Sequence, residues 1–236
     1  FFGAQAVLSV WCPQIEREDE FSLSQLWVVD GTRGEGNFNS VEVGWQVTYD
    51  KKYPHLFIYW TRDNYQTTGC YDLNCAGFVQ TNNRIAFGVE FKPVSSYNGK
   101  QYDITLFVWR DRKTGNWWLR VNEMTVGYWP SLLFSLFKDH ASAVQFGGEI
   151  ANTGDQGSHT KTQMGSGHFP EEGYGKAAYI RNIQVLDSKN NLHSAPKLTG
   201  VFEKPNCYIA GTGSTSKTWG NYMFYGGPGG KNPACQ

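Results

Sequence analysis

The chain has 236 residues and no net formal charge, and it is 16% aromatic with 27 glycines. A nucleic-acid groove requires a basic excess, so this balance argues against nucleic acid as a partner. The sequence contains no run of about eighteen apolar residues, so we expect no membrane-spanning segment. The length suits one large β domain with its own core, and we predict a single domain over residues 1–236.

Short β-branched and aromatic runs separated by turn signals predict strands along nearly the whole chain. They cover residues 25–29, 41–49, 55–60, 84–91, 102–110, 116–121, 143–150 and 178–186. Asn98-Gly99 and Thr114-Gly115 are hairpin turn signals. This spacing predicts an all-β fold, an antiparallel β-sandwich or jelly roll.

One segment departs from the strand pattern. Pro130 is followed by apolar residues at helical spacing as far as residue 140. Proline is favoured in the first turn of a helix, where its missing N–H costs nothing. We therefore predict one short helix over 130–140 that covers a sheet edge.

Five cysteines leave one unpaired if the other four form two bridges. Cys70 and Cys75 enclose a turn-like segment, while Cys207 and Cys235 bracket a glycine-rich stretch that a disulfide would stabilise. Zinc is the alternative, but the spacings contain no C-x₂-C pair and no histidine at ligand spacing. We favour the disulfides Cys70–Cys75 and Cys207–Cys235, an oxidising compartment and no metal, with Cys12 free or paired outside the domain.

Two glutamates lie inside glycine-flanked apolar strands. Glu42 stands in Ser-Val-Glu-Val-Gly-Trp-Gln-Val (40–47) and Glu149 in Val-Gln-Phe-Gly-Gly-Glu-Ile (144–150). A carboxylate among apolar side chains loses hydration, so its pKa should rise unless partners compensate. Two such groups could meet across a sheet and share acid–base work. The alternative is that each is an ordinary residue on the solvent face of its strand.

Strand parity places each glutamate beside a glycine and a glutamine. In residues 41–47 the odd positions are apolar, so Trp45 is expected in the core and the even positions on the opposite face. The polar faces of the two strands hold Glu42, Gly44 and Gln46, and Gln145, Gly147 and Glu149. Glycine leaves room for another chain to approach, and glutamine can hold a carboxylate or a carbonyl. A long cleft along a concave sheet would need this arrangement.

Other catalytic patterns are weak. The sequence has no H-E-x-x-H, no G-x-S-x-G and no P-loop, and its histidines show no triad order. A jelly-roll glycoside hydrolase could also use two carboxylates on an aromatic-lined sheet. The acidic run over 16–20 is not the E-x-D-x-x-E pattern of jelly-roll glucanases. A lectin-like carbohydrate-binding module is the third alternative.

Several aromatic–glycine strings resemble the plant neprosin family. Among them are Phe-Ser-Leu-Ser-Gln-Leu-Trp-Val-Val (21–29), Val-Glu-Val-Gly-Trp-Gln-Val (41–47), Tyr-Trp-Thr-Arg-Asp-Asn-Tyr-Gln-Thr-Thr-Gly-Cys-Tyr (59–71), Gln-Phe-Gly-Gly-Glu-Ile (145–150), Gln-Met-Gly-Ser-Gly-His-Phe-Pro-Glu-Glu-Gly (163–173) and Tyr-Gly-Gly-Pro-Gly-Gly (225–230). The resemblance runs along residues 1–236 and corresponds to the family's catalytic domain without its N-terminal pro-region. A start at Phe1 is then expected to be that of a mature or trimmed product.

The resemblance implies a secreted, extracellular glutamic endopeptidase that cleaves after proline and works in acid, on a β-sandwich with a long cleft. The family's two catalytic glutamates fall on Glu42 and Glu149. The expected partners are proline-containing polypeptide substrates and the protein's own pro-segment before maturation. We expect a monomer with no cofactor and with neither a nucleic-acid nor a membrane partner.

A mechanism follows as a hypothesis. Two carboxyls close together cannot both ionise readily at acid pH. The ionised one would take a proton from the water that attacks the scissile carbonyl, and the protonated one would stabilise the oxyanion. The sequence does not decide the roles, and the working assignment takes Glu42 as base and Glu149 as acid. The candidates for binding or orienting the substrate are Gln25, Gln46, Tyr59 and Tyr128.

Overall fold

The computed structural model describes residues 1–34, 36–137, 139–154, 159–196, 198–211 and 213–235. The strands are β1 Gly3–Ser9, β2 Phe21–Asp30, β3 Asn39–Thr48, β4 His55–Thr61, β5 Cys70–Tyr71, β6 Val79–Gln80, β7 Asp103–Arg110, β8 Trp117–Val121, β9 Met124–Trp129, β10 Ala143–Ile150, β11 Ala178–Leu186, β12 Leu192–Ser194, β13 Ile209–Ala210, β14 Ser214–Ser216 and β15 Gly220–Gly226. Short 3₁₀ turns cover Ser131–Leu133, Pro170–Glu172 and Gly229–Lys231. The predicted all-β class is confirmed. Over these ranges, no helix has the length and apolar character needed to cross a membrane.

The strands form two antiparallel sheets. The smaller sheet has the order β10-β2-β3-β4-β5. The larger sheet has the order β13-β15-β11-β1-β7-β8-β9-β6, with β12 beside β11 and β14 beside β15. One hydrophobic cluster takes side chains from both sheets, so the core lies between them as in a β-sandwich.

Strand β3 shows how the two faces divide. Its odd positions, Val41, Val43, Trp45 and Val47, all belong to the core cluster. The fully buried indole of Trp45 donates to the Ser9 carbonyl on β1 at 2.8 Å, which ties the two sheets together. Parity therefore predicted the core face of this strand, and the even positions project from the other side of the smaller sheet.

The predicted helix over 130–140 is wrong. Among the described residues of this segment, Ser131–Leu133 form a 3₁₀ turn, and Phe134 is already extended, with ψ of 147°. A helix would pair the backbone N–H groups of Ser135 and Leu136 with carbonyls four residues back. Both instead donate to Asn39 Oδ1 on β3, each at 3.0 Å. The segment thus closes the sandwich in an irregular conformation, with Phe134 and Phe137 buried in the core.

The predicted strand over 84–91 is wrong as well. The chain turns at Gly88, where φ is 74°, a backbone region that favours glycine. The segment meets β4 at an isolated bridge between His55 and Glu90. Its apolar side chains Ile85 and Phe87 still pack against the core, which explains why the run is apolar without being a strand.

Two disulfides are present, Cys70–Cys75 and Cys207–Cys235, the pairs that the sequence favoured. His159 lies beside the second bridge, with its ring nitrogen and the two sulfurs within 4.8 Å of one another. Since those sulfurs are bonded to each other, they are not the free thiolates that a zinc ion binds. Cys12 is an exposed free thiol whose Sγ lies 3.2 Å from the Lys52 carbonyl.

Candidate active site

Both glutamates lie on the face of the smaller sheet that points away from the core, which we call the cleft face. On β3, Glu42 is directly opposite Tyr59 of β4. On β10, Glu149 is opposite Leu23 of β2, which is in turn opposite Gln46. The glutamates are therefore two strands apart, roughly 10 Å across the sheet, and are displaced from each other along the strands.

Gln25 fills the space between the two glutamates. On β2 it lies opposite Gly44 on one side and Gly147 on the other. Its fully buried amide donates to Glu149 Oε2 at 3.4 Å and is also a hydrogen-bond partner of Glu42. Its own Oε1 is buried and accepts no hydrogen bond from the described residues. One amide thus connects both carboxyls and keeps a free acceptor between them.

Glu42 is nearly enclosed, with 5% of its surface exposed. Its Oε1 accepts hydrogen bonds from Ser40 Oγ at 2.7 Å and from Tyr65 Oη at 2.8 Å. Burial raises the pKa of Glu42 from 4.5 to about 7, against the lowering effect of these two hydroxyls. The negative charge of Glu149 raises it further, so the two carboxyls interact electrostatically.

Glu149 has a different environment. It is half-buried, and burial raises its pKa above the ordinary value. The cation of Arg33, on the exposed turn between β2 and β3, acts in the opposite direction, while Glu203 from a second exposed loop raises the pKa again. Glu149 therefore has solvent access and a nearby cation that favours its ionised form.

The two glycines of the cleft face have different surroundings. A Cβ on Gly44 would collide with the Ser24 carbonyl and would lie 2.7 Å from the Gln25 Cβ. A Cβ on Gly147 would meet no atom within 4 Å. Gly44 thus leaves room for the Gln25 side chain between the glutamates. Gly147 leaves the cleft face beside Glu149 open to an approaching chain.

Three tyrosines form a wall beside Glu42. The rings of Tyr59 and Tyr71 lie 4.6 Å apart, and those of Tyr59 and Tyr65 lie 5.9 Å apart. Tyr65 and Tyr71 are each more than one-third exposed, so the wall borders solvent. Burial, followed by the charge of Glu42, raises the pKa of Tyr71 to about 12, so its hydroxyl stays protonated. The wall offers aromatic surface with neutral hydroxyl donors.

Five of the six predicted site residues lie on the cleft face. Gln25, Gln46 and Tyr59 share the cleft face with Glu42 and Glu149. The placement of Tyr128 is a correction. It lies on β9 of the larger sheet, opposite Trp118, and their rings are 4.7 Å apart. Three of the four candidates for orienting groups therefore belong to this site, and strand order removes Tyr128 from it.

Sequence reasoning missed three neighbours of the glutamates. Ser40 stands two residues before Glu42, so the same parity that placed Gln46 on the cleft face would have included it. Tyr71 reaches the face by pairing β5 with β4. Tyr65 comes from an irregular loop, and no local pattern of the sequence predicts where such a side chain points.

An aromatic-lined face with two interacting carboxyls of raised pKa is a candidate acid–base site. A family model described as Neprosin matches residues 18–228 of the chain. The match covers most of the 236 residues, so the protein belongs to the neprosin family. That family supports a peptidase-type function in general terms.

Proposed function

We propose that this protein is a secreted glutamic endopeptidase that acts in acid and cleaves after proline. Glu42 and Glu149 would activate water for direct attack on the peptide bond. The observation that carries the proposal is that two carboxyls of raised pKa flank one amide, Gln25, on an open aromatic face. Structural carboxylates that fasten a loop usually have lowered pKa values, because several donors favour their ionised form.

The environments favour Glu42 as the acid and Glu149 as the base, the reverse of the assignment made from sequence. Glu42 is the more enclosed of the two, and its pKa of about 7 keeps it protonated in acid. Glu149 is more accessible and has the cation of Arg33 near it. Between the pKa values of the two carboxyls the pair then holds one proton, and that proton is on Glu42.

The proposed reaction needs no covalent intermediate. Glu149 takes a proton from a water molecule, whose oxygen attacks the scissile carbonyl carbon. The Gln25 amide donates to Glu149 Oε2 and so orients that carboxylate toward the water. The Glu42 proton passes to the carbonyl oxygen as the tetrahedral intermediate forms, and it returns to Glu42 when the carbonyl re-forms. Collapse of this intermediate breaks the C–N bond, and the proton held by Glu149 passes to the leaving nitrogen.

The open surface at Gly147 and the tyrosine wall both support the proposal that the substrate is a peptide containing proline. An extended backbone can approach the sheet at Gly147, where no side chain obstructs it. A pyrrolidine ring is flat and apolar, and aromatic rings such as those of Tyr59 and Tyr71 offer it a matching surface. The ring would then lie beside Glu42, with the scissile bond between the two carboxyls.

The remaining parts of the proposal concern the protein's setting. The two disulfides support an oxidising, extracellular location. A pro-segment that covers the cleft before maturation would keep the enzyme inactive until secretion. We propose a monomer that acts on unstructured polypeptides containing proline, without a cofactor.

Cleavage of an unstructured proline-containing protein at acid pH, followed by mass spectrometry of the fragments, tests this function. Glu42→Gln and Glu149→Gln should each fold and lose about 10²–10⁴-fold in kcat/KM, the usual contribution of a general acid or base. Glu123→Gln, an exposed residue in the turn between β8 and β9, is the matched control and should keep full activity.

Three outcomes would contradict the proposal. Full activity in either variant would remove that glutamate from the catalytic pair. Reducing-sugar release from β-glucans without peptide cleavage would indicate a glycoside hydrolase. Sugar binding without turnover would indicate a lectin-like module.

A further inference from the structure

The loop between β4 and β5, residues 62–69, brings Tyr65 onto Glu42. The Tyr65 hydroxyl donates to Glu42 Oε1 at 2.8 Å. Asn64 and Tyr65 have φ values of 58° and 63°, in the left-handed region that a tyrosine adopts only at a cost in energy. Such a conformation persists when the surrounding contacts enforce it.

Those contacts are hydrogen bonds centred on Asp63. Its carboxylate accepts from the hydroxyls of Thr67 at 2.5 Å and Thr68 at 2.6 Å, and from both backbone N–H groups. The Thr61 hydroxyl oxygen accepts the backbone N–H of Tyr65 at 3.0 Å. The loop is therefore fastened on both sides of Tyr65, which positions the tyrosine hydroxyl before any substrate binds.

The two donors to Glu42 use the same oxygen. Ser40 Oγ lies 2.7 Å from Oε1, the atom that Tyr65 also contacts. A carboxyl oxygen has two acceptor positions, and two donated hydrogen bonds occupy both of them. When Glu42 is neutral, its own proton must therefore be on Oε2.

We propose that Tyr65 is a positioning residue: with Ser40 it occupies Oε1 of Glu42 and keeps the reactive proton on Oε2. The proposal rests on the proposed function, in which Glu42 donates that proton to the substrate carbonyl. Without Tyr65 one acceptor position on Oε1 becomes free, the proton can occupy either oxygen, and only one of the two arrangements points it at the substrate.

The groups around Glu42 make this role measurable. The titratable residues that face it from the neighbouring elements are Glu149 on β10, Tyr59 on β4, Tyr71 on β5 and Tyr65 itself, and Arg33 acts on Tyr65 and Glu149. The pKa of each tyrosine is raised, by burial first and then by Glu42, so all three stay neutral in acid. Burial sets the raised pKa of Glu42, and the Tyr65 hydrogen bond opposes it.

Tyr65→Phe keeps the ring and removes only the hydroxyl. We expect kcat on a proline-containing peptide to fall by about ten-fold, the value of one hydrogen bond to a reacting group, with little change in KM. Because the lost hydrogen bond favoured the ionised form, the pKa of Glu42 rises and the alkaline limb of the pH profile moves to higher pH. Ser40→Ala should move that limb in the same direction.

Tyr97→Phe is the matched control. Its hydroxyl also donates to a glutamate, Glu172, at 2.8 Å, but it lies on an exposed loop. This variant should leave kcat and the pH profile unchanged. If Tyr65→Phe behaves like Tyr97→Phe, the positioning role is wrong.

A second measurement keeps the test independent of turnover. Titration of the Glu42 carboxyl by ¹³C NMR should give a higher pKa in Tyr65→Phe than in the wild type, and an unchanged value would also overturn the proposal. If Tyr65→Phe does not fold, Ser40→Ala carries the same two measurements. Activity in Glu42→Gln would instead refute the proposed function, whatever Tyr65→Phe shows.

Discussion

Gly147 is the residue at which a peptide could come closest to the cleft face. Nothing lies within 4 Å of the position that its Cβ would occupy, and its φ is not in the left-handed region. Gly147→Ala should therefore change the free energy of unfolding by less than about 0.5 kcal/mol. The methyl group would stand where we propose that an extended substrate lies, so KM for a proline-containing peptide should rise several-fold. Denaturant titration and steady-state kinetics measure the two effects.

Gly44→Ala provides the contrast. There the new methyl would meet the Ser24 carbonyl and Gln25, neither of which can move without distorting β2. We expect a loss of about 1–3 kcal/mol in the free energy of unfolding, as for other overpacked sites. If Gly147→Ala folds well and its KM is unchanged, the substrate does not contact the cleft face at Gly147.

Local pattern predicted the residues of the cleft face that lie on long strands. The period of two along β3 separates Glu42 and Gln46 from the core residue Trp45, and the structure agrees at each position. Tyr65 could not be predicted in this way. Its direction depends on hydrogen bonds to Asp63 and Thr61 within an irregular loop, which have no period in the sequence.

At the scale of elements, hydrogen bonds to Asn39 hold part of the segment 130–140 in place of the helix that the sequence predicted. Its buried Oδ1 accepts the backbone N–H groups of Ser135 and Leu136, and its Nδ2 donates to the Arg62 carbonyl at 3.0 Å. Asn39→Ala would remove these three hydrogen bonds from part-buried backbone groups. A hydrogen bond contributes about 0.5–1.5 kcal/mol, so we expect about 2 kcal/mol of destabilisation in denaturant unfolding.

Asn116→Ala is the control for this prediction. Asn116 is half-buried and accepts one hydrogen bond from the same segment, the Ser131 N–H at 3.0 Å. Its replacement should cost less than half as much as that of Asn39. Equal losses for the two variants would mean that Asn39 is not what holds the segment in place.

The strands that the sequence predicted are on average longer than the strands that it did not predict. Long strands such as β3, β7 and β11 carry enough alternating residues to be recognised. Two-residue strands such as β5 and β6 do not, and they exist because a neighbouring strand offers them hydrogen bonds. Tyr128 was misplaced for the same reason, since the order of strands depends on pairing between distant parts of the chain.

At the scale of the whole molecule, the sheet order creates the site. Glu149 is 107 positions after Glu42, and β10 joins the smaller sheet beside β2 instead of following β9 in the larger one. The parity of each strand was readable from the sequence, whereas this return of the chain was not. The face of the strand on which each carboxyl lies thus depends on the local sequence. Their common position beside Gln25 depends on the order of the strands in the whole sheet.

Buried carboxyls with opposite pKa shifts should give the protein a distinctive dependence of stability on pH. The folded pKa of Glu42 is about 7, above its ordinary value of 4.5. Its contribution to stability is therefore fully present below pH 4.5 and is lost as pH rises through 7. Glu42→Gln should unfold at the same denaturant concentration as the wild type at pH 4, but should be more stable at pH 8 by on the order of 3 kcal/mol.

Glu20 should show the opposite sign. It lies just before β2 and is 2% exposed. Burial raises its pKa, but hydrogen bonds from Thr160, Thr162 and Thr153 outweigh burial and leave the pKa below the ordinary 4.5. Its contribution is present above pH 4.5 and disappears as pH falls through the folded pKa.

Denaturant unfolding of both variants from pH 3 to pH 8 tests these signs together. Glu20→Gln should lose stability near neutrality and approach the wild type at the acid end, while Glu42→Gln should gain stability only above pH 4.5. The exposed Glu123→Gln should follow the wild type throughout. If the protein acts in acid, as we propose, Glu42 is neutral at its working pH, whereas the contribution of Glu20 to stability falls there. Parallel curves for Glu42→Gln and the wild type would mean that Glu42 titrates as an ordinary carboxyl, and its role as the proton donor would be lost with its raised pKa.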